Sequence, residues 1–277
     1  MQPDIVNDKD QRLYVRENLH THTFRCNHAT GTEREYIEEA VRVGFTDFGF
    51  SDHTPMPWPA DKEYPSHVKM RLDEMPDYCD TILALREEYK DRINIYLGLE
   101  VEYYPKLFPK LLDELRQYPL EYMILGEHNY YNGYDGDWCG NPTDDTVLLK
   151  NYVDQCIEAL ETGYFIYLAH PDLVNFTGER KIYLSEMERL CIYAHDHNIP
   201  LELNLYGLST NRNYPDKDFW ELAGQVGNDT VIGLDAHFKE MIDVPDVIKR
   251  AMALIDHCHL NLITNPSKDL IPGRPMW

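Results

Sequence analysis

Short apolar runs alternate with longer stretches of helical spacing along most of the chain. Residues rich in β-branched and aromatic side chains predict strands at Asn18–Thr23, TDFGFSDH (46–53), RINIYLGLEVEYY (92–104), YMILGEHNYY (122–131), GYFIYLAHP (163–171), IPLELNLYG (199–207) and TVIGLDAH (230–237). Between them, Thr32 caps a helix with Glu35 as its capping-box partner. Tyr36, Ile37, Ala40 and Val41 keep helical spacing, and Gly44 ends the helix. Further helices are predicted near 71–90, 106–117, 144–162, 183–198, 217–226 and 243–258. Seven strand-then-helix units with no linker-like tract predict a single domain over residues 1–277. The expected fold is α/β, a distorted (β/α)7-type TIM-like barrel.

The ionisable residues fall where that fold can use them. His20, His22, His28, His53, Glu100, His128, His170, Asp235 and His237 lie at or just past the carboxyl ends of the predicted strands. A barrel brings those ends to one mouth, whereas an open doubly wound sheet gathers only groups near its switch point. His20 and His22, two apart on a strand, share a face. Nine such groups exceed the four ligands of one tetrahedral ion, so two to three divalent ions are expected. Imidazole mixed with carboxylate suits zinc, iron or manganese. The other five histidines serve as a control. His195 and His197, like His257 and His259, sit near predicted helix ends, where positions two apart diverge by roughly 200°. His67 lies in a polar loop.

Composition narrows the class further. A hydrophobic fraction of 43% is that of an ordinary globular protein, no apolar run is long enough to span a bilayer, and the N-terminus MQPDIVNDKD is polar, so a cytoplasmic location without membrane association is expected. Cys26, Cys79, Cys139, Cys156, Cys191 and Cys258 form no C-x-x-C pair and read as small buried hydrophobes. A net charge of −22 would repel a phosphate backbone, which argues against a nucleic-acid partner but leaves a small phosphorylated substrate possible if cations line the site.

The motifs HTHTFRCNH, SDH, GLE, GEH, AHP and DAH, in that order on successive strands, resemble those of the polymerase and histidinol phosphatase (PHP) superfamily, and the chain is similar to that superfamily's histidinol-phosphate phosphatases. The resemblance implies a trinuclear site. His20, His22, Glu100 and Asp235 would hold one ion; Glu100 would bridge to a second held with His128 and His170; His28, His53 and His237 would hold the third. It also implies hydrolysis of L-histidinol phosphate to histidinol and phosphate, a step of histidine biosynthesis. The same chemistry on another small phosphomonoester or a nucleotide is the alternative, and a non-catalytic metal-binding interaction module is a second one.

Beyond the ligands, Asp52 and Asp235 are the catalytic candidates. Asp52 precedes His53 and could orient an imidazole, assist proton transfer or cap the next loop. Arginine forks onto phosphate oxygens, and Arg212, Arg180 and Arg25 are the candidates for binding the substrate. Arg212 leads because LYGLSTNRNYP resembles a family loop that precedes D-x-H; Lys181 could assist Arg180. The aromatic-rich NYYNGYDGDW reads as a loop, either over the mouth or elsewhere on the surface.

Overall fold

The structure is a computed structural model that describes residues 15–59, 68–131, 133 and 136–277; His67 and parts of the 129–138 loop lie outside the described residues. Among the described residues seven parallel strands build the inner layer: β1 (Glu17–Asn18), β2 (Asp47–Phe50), β3 (Asn94–Val101), β4 (Tyr122–Leu125), β5 (Leu201–Asn204), β6 (Asp229–Gly233) and β7 (Asn261–Leu262). They pair in the orders β1-β2-β3-β4 and β5-β6-β7. Leu168 joins the two sets through bridges to Leu125 and Leu201. The curled sheet closes on itself at two levels. Near the mouth Thr21 bridges Ala236 and the Asn18 side chain accepts from Leu234 N–H; at the opposite end the segment after β7 bonds Glu17 through Ser267. The result is a distorted α/β barrel, as the strand pattern predicts.

Two strand expectations change in detail. The stretch expected as Asn18–Thr23 is strand only at Glu17–Asn18, because the Asn18 amide turns back to bond His20 C=O and Thr21 Oγ1, and a turn of 3-10 helix follows at Phe24–Cys26. The stretch 163–171 keeps bonds such as Ala169 N–H to Leu125 C=O without becoming a continuous strand. β7 was outside the predicted set, for its two residues carry too little pattern to read.

Among the described residues eight α-helices accompany the sheet: α1 (Glu33–Val43), α2 (Met75–Tyr89), α3 (Phe108–Leu115), α4 (Thr146–Glu161), α5 (Arg180–Asp196), α6 (Leu205–Thr210), α7 (Lys217–Val226) and α8 (Pro245–Cys258). All but α6 match predicted stretches. The Thr32–Glu35 capping box forms, and Gly44 ends α1 at φ 102°; such a cap contributes about 1 kcal/mol. His195 and His197 lie at the end of α5, and His257 and His259 at the end of α8. None of the described helices is long and apolar enough to cross a membrane.

Strand alternation places Tyr96, Glu100 and Glu102 on one face of β3 and its extension, with Tyr96 below and the carboxylates above. Leu19, Tyr96, Tyr122, Ile124, Tyr167 and Ala169 pack together as one apolar cluster, while a larger core fills the space between sheet and helices. The Tyr122 hydroxyl bridges first and second strands by donating to Leu19 C=O at 2.8 Å or Phe50 C=O at 2.9 Å. This apolar floor lies beneath the polar groups of the mouth.

Candidate metal centre

All nine strand-end groups converge at the carboxyl ends of the strands. Glu100, buried at the end of β3, organises them. Its Oε1 lies 2.9 Å from His170 Nε2 and 3.5 Å from His128 Nε2; its Oε2 lies 2.8 Å from His53 Nδ1, 3.3 Å from His22 Nε2 and 3.6 Å from His20 Nε2. Asp235 Oδ1 stands 3.1 Å from His22 Nε2 and 3.4 Å from His20 Nε2. His28 Nε2 and His237 Nε2 are 3.0 Å apart, as are His20 Nε2 and His22 Nε2. Three groups, His20–His22–Asp235, His20–Glu100–His170 and His28–His53–His237, each place ligand atoms within 4.8 Å of one another. His128 sits slightly apart, with its Nδ1 2.9 Å from Glu102 Oε1.

The chemistry of this donor set fits divalent ions. Glu100 Oε2 is buried and makes no well-aligned hydrogen bond, although three ring nitrogens surround it. Such convergence suits a shared cation better than a hydrogen-bond network. Burial, with His237 nearby, holds His22 down at about 3, and burial likewise keeps His53 well below the ordinary imidazole range. Neutral imidazole is the ligand form. Burial also opposes charge on Glu100 and Asp235, but the surrounding histidines outweigh it and hold both carboxyls well below their usual range. His20 is the converse case: burial disfavours its charge, yet Glu202, Asp235 and Glu100 raise it. Cys26 approaches His22 and His237, but burial drives its thiol well up, away from the thiolate that would bind metal.

The backbone is shaped around these side chains. His170 and Asp235 both adopt left-handed φ values, 29° and 48°, an uncommon conformation for such residues that clusters at functional sites. Two glycines make room for carboxylates. A Cβ at Gly126 would meet Glu100 Oε1 at 2.0 Å, and one at Gly233 would meet Glu202 Oε1 at 1.6 Å. Glu202 stands behind the first imidazole: its Oε1 is 2.7 Å from His20 Nδ1, and its Oε2 accepts the backbone N–H of His170 at 3.0 Å. Carboxylates in this position fix the tautomer and orientation of a ligating histidine.

A pocket of about 290 Å³ opens onto the cluster, with Arg212, Lys69, Trp138, Tyr206 and Tyr214 in its wall. Arg212 stacks on Tyr206, its guanidinium carbon 4.7 Å from the ring centre, and Tyr206 stacks in turn on His237 at 4.7 Å. Three expectations are corrected. Asp52 is fully buried and accepts from Thr23 N–H at 2.8 Å and Thr23 Oγ1 at 2.9 Å, so its carboxyl secures the HTHT segment instead of facing the pocket; burial raises it to about 7. Arg25 turns into α1 and α2, pairing with Glu33 at 2.6 Å and Asp77 at 2.8 Å, because the 3-10 turn after His22 redirects it. Arg180 is held outside the pocket by Asp216 and Asp218 and lies over Tyr183. Lys181 pairs with Glu179 on the surface.

Sequence reasoning missed Glu202, Glu102 and Lys69. Glu102 had a readable signal, since it is two residues beyond Glu100 and therefore on the same face. Lys69 is buried and pairs with Glu102 at 3.0 Å; it follows a segment without periodic pattern, so nothing in the sequence singles it out.

The PHP domain profile matches residues 18–205. A probable histidinol-phosphatase of Deinococcus radiodurans is 30% identical over 233 residues, spanning 79% of this chain and 85% of the relative. One of Schizosaccharomyces pombe is 32% identical over 247 residues, 79% of each chain. The fold superimposes on a histidinol phosphate phosphatase from Lactococcus lactis subsp. lactis, solved with Zn, L-histidinol and phosphate, with a TM-score of 0.69 at 17% identity, covering 90% of this chain and 95% of that one. With the matched residues spanning more than half of its length, the chain belongs to the PHP domain family.

Proposed function

We propose that the protein is a metal-dependent phosphomonoester hydrolase whose substrate is L-histidinol phosphate, serving histidine biosynthesis in the cytoplasm. The observation that carries the phosphoesterase reading is the pairing, in one pocket, of the His-rich cluster with Arg212. In a chain of net charge −22, this guanidinium has aromatic rings as its contact partners and, among the described residues, no carboxylate in salt-bridge contact, although Asp235 acts on it from across the pocket. The substrate name follows the relatives described above. Contacts from Asn18 to Leu234 and from Glu121 to Gly273 support one domain over residues 1–277.

The ligand assignment we favour gives His20, His22, Glu100 and Asp235 one ion, Glu100, His128 and His170 a second, and His28, His53 and His237 a third; two to three ions of zinc, iron or manganese suit these donors. When bound, the ions supply Lewis acidity toward phosphoryl oxygens and lower the pKa of a nearby water. The chain's own residues do the rest. Arg212 donates to the phosphoryl oxygens and neutralises their charge. Glu202 and Glu102 keep His20 and His128 in the orientation that presents Nε2 to the centre. Asp235, which its imidazole neighbours keep ionised, places a negative charge at the reacting end of the pocket. The departing alkoxide requires a proton, and with Asp52 turned inward the protic groups of the wall are Lys69, Tyr206 and Tyr214.

Steady-state kcat/KM on histidinol phosphate, beside sugar phosphates, nucleotides and phosphotyrosine with metal content measured on the same sample, tests the reading. Histidinol phosphate should lead the panel. Equal rates across the panel would refute the substrate, and no cleavage by metal-loaded protein would leave a metal-binding module.

A further inference from the structure

Of the large apolar side chains that stand exposed among the described residues, Trp138, 38% exposed, is the one that lines the pocket, beside Lys69, Arg212, Leu173, Tyr206 and Tyr214. An indole in a pocket wall presents a broad, rigid aromatic surface to a ligand. Its placement is held from several sides. The 129–138 excursion leaves the centre directly after His128 and returns through an antiparallel bridge between Asn129 and Trp138; Cys139 N–H then bonds His128 C=O at 2.7 Å. The indole is therefore tethered to a candidate metal ligand by main-chain bonds. Beneath it, a Cβ at Gly140 would meet three ring atoms, Cη2, Cζ2 and Cε2, at 2.5, 2.5 and 2.8 Å. Near-equal approach to consecutive ring atoms means that the six-membered ring rests face-on against the Gly140 backbone. The Arg212 guanidinium carbon lies 5.8 Å from the ring centre, so the rigid aromatic surface and the cation border the same space.

We propose that Trp138 is a specificity-determining residue that stacks on a planar leaving group of the phosphomonoester while Arg212 engages the phosphoryl end. The inference rests on the phosphoesterase reading and deepens it by assigning recognition of the alcohol portion. Stacking is sensitive to flatness and indifferent to the phosphoryl group, which separates this role from that of a prop behind Arg212. It selects a chemical class, aromatic or heteroaromatic alcohols, over saturated ones of the same size.

The test compares benzyl phosphate with cyclohexylmethyl phosphate, whose leaving alcohols are similar in size and basicity, on the metal-loaded enzyme. The wild type should favour the planar ester by about three- to tenfold in kcat/KM. Trp138→Ala should abolish that preference with the inhibition constant of inorganic phosphate unchanged, and Trp138→Phe should keep most of it. Gly140→Ala, whose new methyl displaces the indole, should behave like Trp138→Ala. A wild-type ratio near one overturns the proposal, whether or not histidinol phosphate leads the substrate panel. So does a Trp138→Ala variant that weakens phosphate inhibition as much as it weakens both esters, for the indole would then only support Arg212. Should the wild type cleave no ester, the phosphoesterase reading falls, and calorimetry with benzylphosphonate and cyclohexylmethylphosphonate decides: preference for the planar ligand upholds stacking and equal affinity overturns it.

Discussion

His28 shows how side-chain reach divides a motif. It lies six residues beyond His22, yet its Nε2 meets His237 at 3.0 Å, while His20 and His22 turn to Asp235 and Glu100. His28→Ala should therefore lose one metal equivalent, by elemental analysis of purified protein, with the His20–His22 position still filled; simultaneous loss of all metal would contradict the division. Arg212→Ala removes a charge-assisted donor worth about 1.5–3 kcal/mol, so kcat/KM should fall about 10- to 150-fold. Arg180→Ala, outside the pocket, should leave it nearly unchanged, and steady-state kinetics of the two variants side by side checks both. At this scale the sequence was readable where strand alternation fixes direction, as at His20, His22 and Glu100. It was unreadable at Arg25 and Arg180, because a long flexible side chain follows whichever carboxylate the tertiary fold brings near.

Each strand end works with the element beside it. β6 ends at Gly233, and the missing side chain there is the space that Glu202 of β5 fills as it reaches His20. Gly233→Ala should consequently reproduce the effect of Glu202→Gln, each weakening metal binding by about 10- to 100-fold in a competitive chelator titration. If only the Glu202 substitution has this effect, the packing argument fails. The seven longer helices were predictable from spacing and caps. α6 was hidden because its six residues follow β5 with no loop between and the alternation of Leu201, Leu203 and Leu205 runs on into it, the Asn204 side chain capping it by accepting from Gly207 N–H. The strand ladder likewise thins wherever a ligand needs an unusual backbone, as at His170, and no local pattern encodes that.

Across the whole molecule, the C-terminal segment returns to the face opposite the mouth. Glu121 there accepts from Gly273 N–H, Leu97 N–H and Arg86. Burial raises its carboxyl above 4.5 despite these donors. The folded chain thus holds a proton that the unfolded chain releases, and this contribution to stability is present below pH 4.5 and lost as pH rises through the folded value. The fall in urea midpoint over that window should be shallower in Glu121→Gln; an identical slope would exclude Glu121 as its source. The net charge, read from composition alone, gives no hint that the pocket keeps an arginine with no salt bridge among the described residues, since a sum carries no positions.

The seam where the barrel closes has a consequence for the metal itself. Near the mouth its main-chain contacts among the described residues include the Thr21–Ala236 bridge and Thr30 N–H to His237 C=O, with the Asn18 side chain on Leu234 N–H, and His20 and His22 stand on one side of it and Asp235 and His237 on the other. An ion shared across that line ties together segments more than two hundred residues apart, restricting the unfolded chain much as a long-loop crosslink does. Chelation should then lower the unfolding temperature measured by calorimetry. In hydrogen exchange it should release the amides of His22 and Leu234 before those of β3, making the cofactor a clasp on the fold as well as a reagent.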